Sequence, residues 1–286
     1  GNPGDQNLRS LIRISCSMPS IIMSFKQVGS IRYYTFDIFN SSNLVHAILT
    51  RQGGVSPSPW QSLNFGGTVG DERERVISNR SKALRALGYN PEKIFDVWQV
   101  HSEHVICTSA PRQVGSPHEK ADGIITDQPG LGLLMLFADC VPIMLYDPIR
   151  HVVGIVHAGW KGTVSGIAGK AIHIMHECYG TNPRDILAGI GPSIGPDHYQ
   201  VRGDVVNQVT DTFGEHAGQF IKQHAHSTTY DLWECNRWIL QRAGVNQIEV
   251  ARICTACHPE DWFTHRGEGG RTGRFGALIG LKEESV

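Results

Sequence analysis

The chain has 286 residues, Lys+Arg 26 against Asp+Glu 27 and a net charge of −1, with 40% hydrophobic and 8% aromatic content. Such a balance gives no basic field to gather nucleic acid and no polybasic cluster for an anionic membrane, which argues against a nucleic-acid or membrane-surface partner. No apolar run approaches the ~20 residues of a membrane span, and the length suits one large core.

Residues 1–25 begin without Met and open on a polar stretch, so they read as a tag or disordered tail, with residues 26–286 as one domain. Ile31–Phe39 and Leu44–Thr50 are rich in aromatic and β-branched residues and predict two strands. A Gly/Pro-punctuated loop follows, from Arg51 through Asn64 to Gly70. Asp71 is placed to cap a helix with Val76, Ile77, Ala83, Leu84 and Leu87 on one face, ending at Gly88. Strands are then predicted over 94–101, 104–109, 121–126, 131–138, 143–146 and 152–157. The turn His157-Ala-Gly-Trp-Lys-Gly-Thr163 opens a helix that Gly180 ends. A strand at 186–190, helices from about 204 and from Asp231, and strands at 248–253 and 277–281 complete the chain. Strands clustered early and alternating with helices later predict a layered mixed-sheet α/β fold.

Three residues stand at the ends of apolar, β-prone runs: His101, Cys140 and His157. A strand end presents its last side chain to a crevice, where α/β sheets commonly bind ligands. Their separations, 140 − 101 = 39 and 157 − 140 = 17, are far too long for a zinc finger or ribbon. Two imidazoles and a thiol suit a tetrahedral zinc site whose fourth position stays open, with Asp139 placed to orient a ligand. The same residues also suit a nucleophilic Cys140 with a histidine base, and thiol and imidazole serve either role.

Two short motifs mislead. Cys254-Thr-Ala-Cys257-His258 matches the haem-attachment pattern. No export signal accompanies it, so it reads as a turn or a thiol pair. His101-Ser-Glu103 with the later Cys-x-x-Cys imitates the nucleobase deaminase signature, but Ile253 stands where that signature has Pro.

Other residues suggest an anion. The glycine turn after His157 offers backbone N–H groups at a helix start, and Lys161 adds a charge, without the spacing of a nucleotide P-loop. Arg51, Arg266 and Arg274 lie in glycine-rich loops and have the fork geometry for phosphate. Asn64 and Gln99 carry the paired donor and acceptor that read a purine edge. Seven cysteines at irregular spacing fit reduced thiols in the cytoplasm.

Gln99-Val-His101, Ala138-Asp-Cys140-Val-Pro142, His157-Ala-Gly-Trp-Lys-Gly162 and Gly189-Ile-Gly-Pro-Ser-Ile-Gly-Pro196 together resemble the laccase-domain purine nucleoside phosphorylase family. Its members were formerly called multicopper polyphenol oxidases, and its bacterial members are single-domain. Thr50–Ser56, Ser62–Asn64 and Asn79-Arg80 fit the same pattern, so the likeness spans roughly residues 30–281. One departure is His198, near which members often carry Cys or a small residue. The resemblance implies a layered fold like that of cysteine deamidase toxins and Zn2+ at His101, Cys140 and His157. It implies phosphorolysis of adenosine, inosine, guanosine and 5′-methylthioadenosine, with adenosine deamination besides; a homodimer is compatible with it. Copper oxidase chemistry fits poorly, since four coppers need about ten clustered His/Cys ligands including H-x-H pairs and His224-Ala-His226 is the only H-x-H. Adventitious copper at an N/S site remains chemically reasonable, and a Cys140-dependent amide hydrolase is the alternative activity.

Overall fold

The computed structural model describes residues 24–41 and 43–283. The tail expected over 1–25 lies outside them apart from its last two positions, and Phe25 already opens a strand. In chain order come β1 (Phe25–Val28), β2 (Ile31–Tyr34), β3 (Leu44–Leu49), α1 (Arg73–Ala86), β4 (Ile94–Asp96), β5 (Val105–Cys107), β6 (Gly123–Thr126) and β7 (Gly132–Phe137). Next are β8 (Val141–Asp147), β9 (Val152–Ala158), α2 (Trp160–Val164), α3 (Ile167–Tyr179), β10 (Leu187–Ile190), β11 (Gln200–Val201) and α4 (Gly203–Phe213). The chain finishes with α5 (Ala217–Phe220), β12 (Ile221–Gln223), β13 (Thr228–Tyr230), α6 (Leu232–Arg242), β14 (Gln247–Val250) and β15 (Phe275–Leu281).

Two six-stranded mixed sheets dominate, ordered β1-β2-β3-β15-β7-β4 and β14-β10-β8-β9-β6-β5, with a small sheet β11-β13-β12 beside them. The period-two alternation of side chains explains how they stack. In β8, Met144 faces the first sheet while Leu145 faces the helices; in β6, Ile124 and Ile125 divide the same way. In β7, Leu133, Met135 and Phe137 point between the sheets and Leu134 points to α1. The layers therefore run α1, first sheet, second sheet, then α3, α4 and α6. Sheets buried on both faces are continuous apolar runs, as β7, β8 and β9 are. The layered mixed-sheet α/β fold expected from the sequence is the fold observed.

Several boundaries differ for identifiable reasons. The strand expected over 94–101 stops at Asp96, because the chain there leaves the first sheet to enter the second at β5. The strand expected to reach 138 stops at Phe137 for the same reason, handing over to β8 through Ala138–Cys140. These two crossovers position the site described below.

Asp71 does not cap α1. Its carboxylate accepts instead from Ser56 Oγ at 2.6 Å and Asn64 Nδ2 at 2.9 Å, and Glu72 occupies the cap position without a side-chain bond to the helix backbone. Ile77 is 55% exposed, since a residue next to Val76 lies about 100° around the helix and cannot share its inward stripe. The helix expected after His157 is two pieces, broken at Gly166, whose φ of +74° suits glycine. Asp231 does cap α6, accepting from Glu234 N at 2.9 Å.

Candidate metal centre

His157 is the penultimate residue of β9 and pairs in register with Pro142 of β8. Cys140 stands one residue before β8, so the antiparallel ladder sets the thiol beside the imidazole. His101 comes from the other crossover, between β4 and β5. The three ligand atoms lie within 4.8 Å of one another, with Cys140 Sγ 3.8 Å from His101 Nε2. His101 at φ 60° and Asp139 at φ 83° adopt the left-handed backbone that non-glycine residues enter only when their surroundings hold them there.

The holder for His101 is Asp122, fully buried at the start of β6. Its carboxylate accepts from the backbone N–H of Val100 (3.2 Å), His101 (3.1 Å) and Ser102 (2.6 Å) and from Ser102 Oγ (2.7 Å). It also accepts from His157 Nδ1 at 2.8 Å, which leaves Nε2 of that ring to face the other two ligands. One carboxylate thus orients two ligands. Asp139, expected in that role, instead accepts from Thr255 Oγ1 (2.7 Å) and Arg266 N (2.6 Å), tying the turn before Cys140 to the C-terminal loops.

Gly159 forms the floor of the site. A Cβ there would stand 3.0 Å from Cys140 Sγ and 3.0 Å from His101 Cδ2, so a side chain at this position would crowd both groups. A thiol, two imidazoles and a carboxylate behind one imidazole, with no fourth protein donor in the group among the described residues, make a donor set that fits a metal ion with an open position.

Burial would raise the Cys140 thiol, but the His157 charge and hydrogen bonds from both histidines overcome it and hold it at about 6. Burial would lower His157, yet the Cys140 and Asp122 charges carry it to about 9. Metal-free protein therefore holds a thiolate–imidazolium pair at neutral pH. Since the thiol's midpoint is depressed, the thiolate is present above it and lost as pH falls through about 6. Iodoacetamide labelling of Cys140 in chelator-treated protein is expected to follow that midpoint, not one near 8.5. A midpoint above 8 would contradict this arrangement.

Arg266 and Arg274 border the centre. Burial lowers the Arg274 guanidinium, and the nearby Cys140 and Asp139 charges draw it back, while Nη1 donates to Gly273 O at 2.8 Å. Arg266 Nη1 donates to Gln200 O at 2.9 Å, and its guanidinium lies 5.3 Å over the Tyr199 ring. Tyr199, which no sequence motif singled out, has its phenol raised by burial and then by Cys140, so it belongs to the same neighbourhood. Exposed Lys161 sits two residues past Gly159 with no carboxylate partner among the described residues.

The other expected contacts are engaged elsewhere. Arg51 pairs with Glu268 at 2.9 Å, donates to Gln61 O and Pro259 O, and stacks 4.3 Å over Phe263. Asn64 is fully buried, and its amide bonds Gly66, Asp71 and the backbone of Arg274. Gln99 grips the backbone of Leu136 from both sides at 2.8 Å, extending the β4–β7 pairing with a side chain.

His198, Cys254 and Cys257 form a second group of possible ligands, sharing no residue with this centre. No helix among the described residues is long and apolar enough to cross a membrane.

Residues 45–282 match the family model described as multi-copper polyphenol oxidoreductase laccase. The chain is 37% identical to purine nucleoside phosphorylase YlmD of Geobacillus stearothermophilus over 249 residues, covering 84% of this chain and 91% of that one. Its identity to purine nucleoside phosphorylase YlmD of Bacillus subtilis is 35% over 253 residues, 85% and 91% of the two chains. The crystal structure of YlmD from Geobacillus stearothermophilus superposes with a TM-score of 0.85 at 34% identity, over 91% of this chain and 99% of that one.

Proposed function

Because the chain belongs to the laccase-domain family, the multi-copper polyphenol oxidoreductase laccase family of that model, we propose that it is a zinc-dependent purine nucleoside phosphorylase. Its substrates are adenosine, inosine, guanosine and 5′-methylthioadenosine, which phosphate converts to free base and (methylthio)ribose 1-phosphate; adenosine deamination is a second activity. The observation that carries the reading is the meeting of an open three-residue centre with the Arg274 guanidinium, which feels the Cys140 and Asp139 charges, and with Arg266, whose backbone N–H binds Asp139 while its guanidinium lies over Tyr199.

His101, Cys140 and His157 would hold the zinc, which would supply the Lewis acidity that hydrolytic deamination requires. Phosphorolysis forms a bond from a phosphate oxygen to C1′ and breaks C1′–N9. The electron pair departs with the purine, which takes up the proton that phosphate gives. Arg274, Arg266 and Lys161 hold the phosphate in this reading, as charge near developing negative oxygens is worth most in a partly buried site. Arg51, Asn64 and Gln99 act through the loops and strands they fix, as positioning residues. Six free thiols among the described residues support a reducing, cytoplasmic setting.

The test is incubation with adenosine and phosphate. Adenine and ribose 1-phosphate are expected in equal amounts, only with phosphate present, with inosine as the separate deamination product. Absence of both products from zinc-loaded protein would end the reading. Cys140, His157 and Asp122 also line up as nucleophile, base and orienting acid, which favours an amide hydrolase as the second reading.

A further inference from the structure

We propose that His198, Cys254 and Cys257 hold a second thiophilic metal ion of the zinc class, which staples the loop after β14 to the turn after β10. Backbone pairing brings the segments together: Ser193 bridges Cys254, Ser193 N donates to Ile253 O at 3.1 Å, and Thr255 N donates to Ser193 O at 3.1 Å. Two thiols three positions apart on one turn then face one imidazole supplied 254 − 198 = 56 residues earlier.

The distances suit a shared cation. His198 Nδ1 stands 3.7 Å from Cys254 Sγ and 3.6 Å from Cys257 Sγ, and all three atoms lie within 4.8 Å. Metal–sulfur and metal–nitrogen bonds of about 2.3 and 2.0 Å at a tetrahedral angle separate N from S by about 3.5 Å. A single ring nitrogen has one in-plane hydrogen-bonding direction, so near-equal distances to two sulfurs fit a common partner better than two hydrogen bonds. Gly195 N–H donates to Cys254 Sγ at 3.2 Å, a contact that favours a thiolate ligand. Cys254 is buried, whereas His198 and Cys257 are exposed, leaving an entry path and a fourth position for water. Sulfur-rich donors select zinc-class or cuprous ions over magnesium or calcium. Thr255, next to Cys254, donates to Asp139, next to Cys140, so the staple braces the turn that carries the first centre.

The experiment is zinc titration of reduced, chelator-stripped protein against a chromophoric indicator, with cobalt substitution as a spectroscopic check. Wild type is expected to bind two equivalents, Cys257→Ser one and Cys140→Ala one. Cobalt-loaded Cys257→Ser should lose most of the thiolate-to-cobalt absorbance while its circular dichroism stays native. One equivalent in wild type that Cys257→Ser loses and Cys140→Ala keeps would uphold this site and remove zinc from the first centre. Equal binding by wild type and Cys257→Ser, or a Cys254–Cys257 disulfide in protein kept under reductant, would overturn the proposal.

Discussion

Asp122→Asn is expected to weaken zinc binding at the first centre by about 10- to 100-fold, the usual cost of losing a carboxylate behind a ligating histidine. The variant keeps the shape of the side chain but replaces one accepting oxygen with an NH2 group. Five donors converge on the native carboxylate, three of them backbone N–H groups of Val100, His101 and Ser102. Oδ1 holds the His101 N–H and His157 Nδ1 while Oδ2 holds the other three, so either orientation of the amide strands at least two donors and loosens the His101 segment or the His157 ring. Competition with a chelator of known affinity reads the effect, and wild-type affinity in the variant would refute the role given to Asp122. The same substitution carries a pH signature in metal-free protein. Burial would raise Asp122, but His157 and Ser102 hold it at about 2, below its unfolded value near 3.8. Its contribution, about 2 kcal/mol, is present above roughly pH 4 and lost as pH falls through about 2. Acid unfolding of Asp122→Asn should lack that component.

Much of this centre was legible as residue type and position. His101, Cys140 and His157 end apolar runs, and a thiol with two imidazoles is a chemically narrow set. Asp122 was not legible, because Ala121-Asp122-Gly123 reads as a polar break at a strand start. Its importance comes from β6 lying beside β9 and from the crossover that brings residues 100–102 over it, neither of which the period of the sequence encodes. The Trp98–His101 segment misled in the opposite direction. Its apolar alternation continues from β4, but the chain has already begun to cross to the other sheet, and Trp98 keeps only one bridge, to Lys120. The alternation there does not mark a sheet face, since Val97 is half-buried and Trp98 and Val100 are exposed along the crossover.

Arg51, Asn64 and Gln99 show why polar residues in glycine-rich loops resemble ligand contacts. A loop covered by neighbouring loops still needs partners for its backbone groups, and long polar side chains supply them. The chemistry that would read a purine edge serves equally to grip Leu136 or Gly66. Arg274 and Arg266 came from the same kind of loop, yet their place beside Asp139 and Cys140 separates them from Arg51. That distinction required the fold.

Substitutions at Cys140 separate the two chemistries that the residue types left open. Cys140→Ala is expected to lower kcat/KM for adenosine by at least about 1000-fold, roughly 4 kcal/mol, with loss of the zinc equivalent at this centre. Alanine alone does not discriminate, since removing a ligand and removing a nucleophile both abolish turnover. Cys140→Asp and Cys140→His retain a metal-ligating atom at the position while abolishing the thiol. If Cys140 serves as a ligand, one of these variants should keep zinc and a measurable part of the activity, and strict phosphate dependence with it. If Cys140 is the nucleophile, neither variant turns over, and metal-free wild type should outperform the zinc-loaded protein. Mass spectrometry of metal-free wild type with an activated amide or ester then shows an acyl adduct on Cys140. The low-lying thiol makes that adduct chemically accessible, so its absence alongside a zinc-retaining, active Cys140→Asp or Cys140→His would settle Cys140 as a ligand.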